Sequence, residues 1–361
     1  MKNGELIYRD RIRGAWLGRV SGCLLGKPLE VLSFEEGRSG LRRYLEDAGA
    51  WPLRDYAPPL EGTAVERRAK NCCAGFIERA EPDDDINYTI LALMLLEQHG
   101  ASLTTEDVAR SWLTLLPGGT TWTAERAAYR ILLDRMDDEF VNGAPPGFDL
   151  SDCSDNEFSD WIGARIRADV YGWVCPGRPE TAAELACRDA AISHRDDGLH
   201  GAVFIAALGA AVPATENIDE ALSVALKHIP AASRATETVR FAMTLGDEEA
   251  AVDAIHARFA DLSPVHTLNN LAVVVWAARN FSDDFSAAIG NTVMAGWDTD
   301  SNGATVGGLV GLSGADIPSN WTSPWQGRVG VDLAGVAELP LDELVERTLA
   351  VANAFQASSN S

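Results

Sequence analysis

Basic residues are scarce: 30 Lys and Arg stand against 53 Asp and Glu, a formal charge of −23 over 361 residues. A surface that acidic repels a phosphate backbone. The densest basic stretch, Arg11, Arg13 and Arg19, is too sparse to offset it, so nucleic acid is not an expected partner. Long apolar runs are also missing. The longest, residues 202–212 and 271–278, fall short of the roughly 20 residues a spanning helix needs, so both are expected as core helices and no membrane contact is expected. Residues 1–10 are mixed polar and offer no apolar signal core, which makes the cytoplasm the expected location. The six cysteines form no Cys-x-x-Cys pair and no Cys/His cluster at zinc spacing, and read as small apolar residues. Aromatic residues make up only 7% of the chain, but 46% is hydrophobic, enough for a substantial core.

Strands of alternating polarity are not evident either. Most of the sequence reads at helical period, in segments near 11–25, 88–98, 124–136, 180–193, 201–212, 219–228, 233–244, 248–259, 268–278, 285–294, 304–312 and 341–355. The expected fold is all-α, a compact multi-helix bundle. With no linker rich in Pro, Gly or Ser and no fixed repeat, residues 1–361 are expected to form a single domain. Residues 52–61 and 142–160, the second with Pro145, Pro146 and Gly147, read as loops. Glycine recurs every fourth residue as Gly14, Gly18, Gly22 and Gly26, and again as Gly303, Gly307 and Gly311. Each costs up to about 1 kcal/mol relative to Ala inside a helix, so the rows imply close backbone approach to a neighbouring helix or a ligand.

Two acidic knots precede helical segments: Pro82-Asp83-Asp84-Asp85-Ile86-Asn87-Tyr88-Thr89 and Gly296-Trp297-Asp298-Thr299-Asp300-Ser301-Asn302-Gly303. Helix capping explains one carboxylate in each. Three consecutive acids exceed what a cap requires and repel one another unless a cation lies between them. Asp-x-Asp with a neighbouring hydroxyl offers oxygen ligands to the same kind of hard cation, Mg²⁺, Mn²⁺ or Ca²⁺. The second knot matches the first half of an EF-hand loop, but its twelfth position is Leu309 where a bidentate Glu is required. Gly22-x-x-x-Gly26-Lys27-Pro28 is one residue short of a P-loop and has Pro28 in place of Ser or Thr.

In combination the two knots resemble those of the ADP-ribosylglycohydrolase family, which includes dinitrogenase-reductase-activating glycohydrolases, ADP-ribosyl-acceptor hydrolases and J-crystallins. Asp84 and Asp85 fit its paired acids, Thr89 a later Thr of the same helix, and Asp298, Asp300 and Ser301 its C-terminal Asp-x-Asp-Thr segment. The glycine-rich opening ending Gly26-Lys27-Pro28-Leu29-Glu30 adds to the match, which spans about residues 11–315. Departures are Asp83 for a hydroxyl residue, Ile86 and Ser301 for Thr, and Cys23 where Asp is common. The resemblance implies an all-α fold and a metal set of Asp83, Asp84, Asp85, Asp298, Asp300 and Ser301, holding two Mg²⁺ ions, with Mn²⁺ an alternative.

The implied reaction is hydrolysis of the bond at ribose C1 of an ADP-ribosyl conjugate, either a modified protein side chain or a small metabolite. Divalent ions orient and acidify a water, and a carboxylate accepts its proton in the inverting manner. Asp85 and Asp300 are both candidates for that base, and Glu30 matches a loop glutamate that gates the site or orients the water. Residues 156–173 correspond loosely to the family's Gly-Asn-Gly substrate loop. On the substrate side the match points to Asn156, to Arg167 as a pyrophosphate partner, to His194 in its Ser-His segment, and to Trp297 as a stacking surface for adenine. Two non-enzymatic readings compete: a metal-binding scaffold of the same fold, as in the crystallins, and a structural protein stabilised by calcium at the Asp298 loop.

Overall fold

The two glycine rows face each other. The computed structural model describes residues 2–358, with the side chains of 6–357. Its site-bearing elements are helices α1 (Lys2–Asp47), α2 (Asp84–His99), α3 (Thr123–Arg135), α4 (Asp196–Ala211), α5 (Thr267–Phe281) and α6 (Thr299–Ser313), and strands β1 (Arg328–Leu333) and β2 (Val336–Pro340). Helices α1 and α6 run antiparallel, with Gly14 on Gly311, Gly18 on Gly307, Gly22 on Gly303 and Gly26 on Thr299. A Cβ added at Gly18 would lie 1.9 Å from the Gly307 carbonyl oxygen, and one at Gly22 would lie 2.0 Å from that of Gly303. No side chain fits between them, so the rows serve a neighbouring helix. The Thr299 hydroxyl completes the contact by donating to the Gly26 carbonyl at 2.9 Å.

This contact sets the rest of the fold. Helix α1 extends well past residue 25, through Pro28, and is kinked at Gly37, whose φ of 65° and ψ of −171° only glycine adopts readily. Helix α6 starts five residues before the expected 304, which takes Asp300 into its first turn. Helices α5 and α6 are buried continuously over Thr267–Ala278 and Thr299–Leu312, so neither has a solvent-facing polar stripe, and their polar residues, Asn270, Asp300, Ser301 and Asn302 among them, lie inside the fold. The segment expected at 202–212 is longer than its apolar run. With the turn that follows α4 it covers Asp196–Ala214, 19 residues, long and apolar enough by composition to cross a membrane but 78% buried within the fold.

The helical segment expected at 285–294 has those same ends, and residues 341–355 lie within the helix Leu341–Ser358. The expectation of no strands is corrected by a short antiparallel hairpin pairing Val329 with Leu339 and Leu333 with Val336. Its strands have six and five residues and the pairing is irregular between Gly330 and Leu333, too short and broken a pattern for period two to register. The hairpin still matters to the site. Ala80 N–H donates to the Arg328 carbonyl at 2.9 Å and Gly330 N–H returns a bond to Ala80 at 2.8 Å, fixing the chain three residues before Asp83.

Candidate active site

Capping accounts for one acid of the first knot. Asp83 is the N-cap of α2, with Oδ1 accepting the Asp85 N–H at 3.0 Å, while its Oδ2 accepts from Lys27 Nζ at 2.7 Å. Asp85 points inward: its Oδ2 accepts the Ser301 hydroxyl at 3.0 Å, and Arg19 Nη2 lies 3.6 Å from Oδ1. Arg19 also pairs with Asp169 at 2.9 Å, and Thr89 secures the turn by donating to the Asp85 carbonyl at 2.8 Å. In the second knot, Gly296 and Trp297 take positive φ of 83° and 58°, turning the chain into α6. Asp298 N–H then donates to Asn270 Oδ1 at 3.3 Å, and Asn302, which Arg165 binds at 2.7 Å, donates to the same oxygen.

The glycine contact between α1 and α6 brings these parts together. Glu30, Asp298 and Asp300 present oxygens within 4.8 Å of one another, as do Cys23, Asp83 and Asp85 their sulfur and oxygens. Burial raises the carboxyl groups of Asp85 and Asp300 well above the usual range, aided by the negative charges of their neighbours. The same causes push Asp84 up to about 8 and Asp298 to about 7, and hold Glu30 high as well. Asp83 is the exception. Burial opposes its ionisation, but the Lys27 ammonium outweighs it and holds the carboxyl low. Burial likewise pushes the Arg165 guanidinium down to about 10.

Carboxylates packed this closely are unfavourable without more positive charge than Lys27, Arg19 and Arg165 supply. Asp85 Oδ1 and Asp298 Oδ1, one from each knot, are buried without a hydrogen-bond partner. A hard divalent cation takes ligands of this kind, so the donor set fits one.

A family model described as ADP-ribosylglycohydrolase matches residues 5–354. The chain belongs to the ADP-ribosylglycohydrolase family. Membership supports glycohydrolase activity on ADP-ribosylated substrates, and the acidic clusters are able to bind metal. A solved structure described as an ADP-ribosylglycohydrolase-related protein complex shares the fold, with a TM-score of 0.55 at 21% identity over 96% of this chain and 98% of that one. No curated protein matches the sequence.

Within this ADP-ribosylglycohydrolase fold, two of the substrate-side expectations, Arg167 and His194, need correction. Arg167 is buried, and all five of its N–H donors are used internally, on Asp189, Glu125, Gly163 and Ser193, leaving none for a pyrophosphate. His194 is 1% exposed; its Nε2 accepts the Ala164 N–H at 3.3 Å, and Nδ1 meets the Ser193 hydroxyl at 2.8 Å, so the ring is neutral and closed to substrate. Asn156 organises its own loop, donating to the Cys153 and Ser193 carbonyls and accepting the Phe158 N–H. Trp297 is half-buried and has one ring face stacked on His256, at 3.9 Å and 19°. The calcium-loop reading is overturned because residues 299–303 are helix, with Gly303 packed on Gly22.

Sequence reasoning missed Lys27, Arg19, Cys23 and Glu125 as parts of the site and its support. Lys27 stood beside the glycine row as a signal. Glu125 had none: it is a buried acid on α3, against Gly163, with Nη1 of Arg167 at 2.6 Å.

Proposed function

We propose that the protein is a Mg²⁺-dependent hydrolase of the glycosidic bond at ribose C1 in ADP-ribosyl conjugates, with two ions held by Asp83, Asp84, Asp85, Asp298, Asp300 and Ser301. One observation carries this reading: each knot contributes a buried carboxylate oxygen without a hydrogen-bond partner, Asp85 Oδ1 having only the longer ion pair to Arg19. When bound, the ions would supply Lewis-acid stabilisation and lower the pKa of the attacking water.

The chain's own groups have separate tasks in this scheme. Asp85 and Asp300 are the candidates to take the proton of the water, the role of the base in an inverting glycosidase. Ser301 fixes the rotamer of Asp85. Glu30 stands on helix α1 and not on the loop the resemblance implied, so it is no gate; half-buried beside Asp298 and Asp300, it orients the water. Lys27 keeps Asp83 ionised, while Arg19 holds Asp85 through its carbonyl and its carboxylate. The six free thiols accord with the cytoplasmic location we propose.

The test is incubation of the purified protein with ADP-ribosylated Arg, ADP-ribosylated Ser and small ADP-ribosyl conjugates. ADP-ribose is expected to be released with Mg²⁺, not after chelation, and again once Mg²⁺ is restored. Mg²⁺ binding by calorimetry without release from any conjugate would sink the catalytic reading and favour the scaffold.

A further inference from the structure

Against a net charge of −23, one concave surface is basic. A cavity of about 530 Å³ beside the first acidic knot is walled by the cations Lys27, Arg67, Arg68, Lys70 and Arg79. Three acids, Glu66, Glu81 and Asp332, also face it, so the lining carries two positive charges in excess. Four of the cations have carboxylate partners: Lys27 pairs with Asp83 at 2.7 Å, Lys70 with Glu66 at 3.2 Å, Arg79 with Glu81 at 3.2 Å and Glu338 at 3.6 Å, and Arg68 with Glu35 at 3.4 Å. Arg67 donates to the Gly62 carbonyl and forms no ion pair among the described residues. Lys27 gives two of its three donors to Pro82 and Asp83 and has the largest share of its side chain buried, 27% remaining exposed.

We propose that this cavity is a second ligand site, which binds a pyrophosphate group. Arginine forks match phosphate oxygens two at a time, and three arginines, Arg67 among them without a carboxylate partner, are spread round a space in the size range of small-molecule sites. A single phosphate would leave much of that space and several of those donors unused. Apart from Ala69, Cys72 and Pro82 the walls are charged or polar, so the ligand is hydrophilic where it meets them. Inorganic pyrophosphate and the diphosphate of a nucleotide sugar share this chemistry. The site is separate from the acidic cluster, which repels anions, but it shares Lys27 with it. A bound pyrophosphate and Asp83 therefore compete for one ammonium group.

The experiment is calorimetric titration of the full chain, freed of divalent ions, with inorganic pyrophosphate, with ADP-ribose and with ribose 5-phosphate. One equivalent of pyrophosphate is expected to bind, more weakly as salt is raised, and ribose 5-phosphate to bind less tightly. Binding of ADP-ribose that Arg67→Glu weakens and Asp298→Asn does not would identify a nucleotide sugar as a ligand of the cavity; binding of pyrophosphate alone would identify the free anion. Arg67→Glu, an exposed change, should weaken binding about tenfold or more, the worth of one charged hydrogen bond. Asp298→Asn should leave it unchanged, with thermal melts confirming that both variants fold. The proposal is overturned if no pyrophosphate binds, if Arg67→Glu binds like the wild type, or if Asp298→Asn alters the affinity as Arg67→Glu does.

Discussion

The Ser301 hydroxyl donates to Asp85 Oδ2 at 3.0 Å, joining residues 216 positions apart. Both groups are buried, so this bond ties one acidic knot to the other where water cannot replace it. Ser301→Ala should cost about 1–3 kcal/mol of stability, because it leaves that oxygen unsatisfied. Ser301→Thr should recover most of the loss. Urea unfolding of the metal-free proteins decides; an unchanged midpoint for the Ala variant would mean that the bond contributes nothing.

Asp300→Asn is expected to have opposite effects on stability and on ligand binding. Burial and the charges of Asp83 and Asp298 raise the Asp300 carboxyl. Replacing it by a neutral amide removes that unfavourable charge and should raise the melting temperature of the metal-free protein. The same change should weaken divalent-cation binding. Parallel melting curves and Mg²⁺ titrations test both halves, and a variant that is less stable without metal would contradict the account.

Gly18→Ala should be the most damaging methyl addition in the molecule's long helices. The new Cβ would stand 1.9 Å from the Gly307 carbonyl oxygen, a backbone atom with nowhere to go. Separating α1 from α6 should cost about 3 kcal/mol and displace Asp300 from Glu30. By contrast, Gly119→Ala meets no atom within 4 Å and should be nearly neutral. Denaturant unfolding of the two variants measures the difference.

His194 should make the protein acid-sensitive. Burial and the Arg167 charge hold its pKa well below that of a free histidine. The unfolded chain therefore takes up a proton near pH 6.5 that the folded chain refuses, so this contribution is complete above 6.5 and is lost as pH falls. The slope is about 1.4 kcal/mol per pH unit below that point. His194→Gln retains an acceptor for Ala164 and cannot titrate. Its stability should fall less steeply than that of the wild type between pH 6.5 and 5, and identical slopes would refute the assignment.

The acidic knots were legible in the sequence because each is local: consecutive residues at the start of a helix, with an identity that capping alone does not explain. The glycine rows were legible for the same reason, although only the fold shows that they pair with each other. The substrate side was not. Arg167 and His194 stand in two segments of the right composition, but Glu125 and Asp189, from other elements, take up Arg167, and Ala164, 30 residues away, takes up Nε2 of His194. No pattern along the chain announces such partners. Lys27 was visible in a failed phosphate loop and in the glycine-rich opening, with no role attached, yet its contact with Asp83 sets the charge of that carboxylate.

The antiparallel seating of α1 on α6 also dictates when the site can exist. Cys23 and Glu30 come from the first tenth of the 361-residue chain, and Asp298 and Asp300 from its last fifth. Contacts that far apart close slowly and late. A nascent chain therefore carries the first knot, unpaired, for the roughly 200 residues of synthesis that separate it from the second. The complete cluster assembles only after residue 300 has left the ribosome, so no shorter N-terminal fragment can display it.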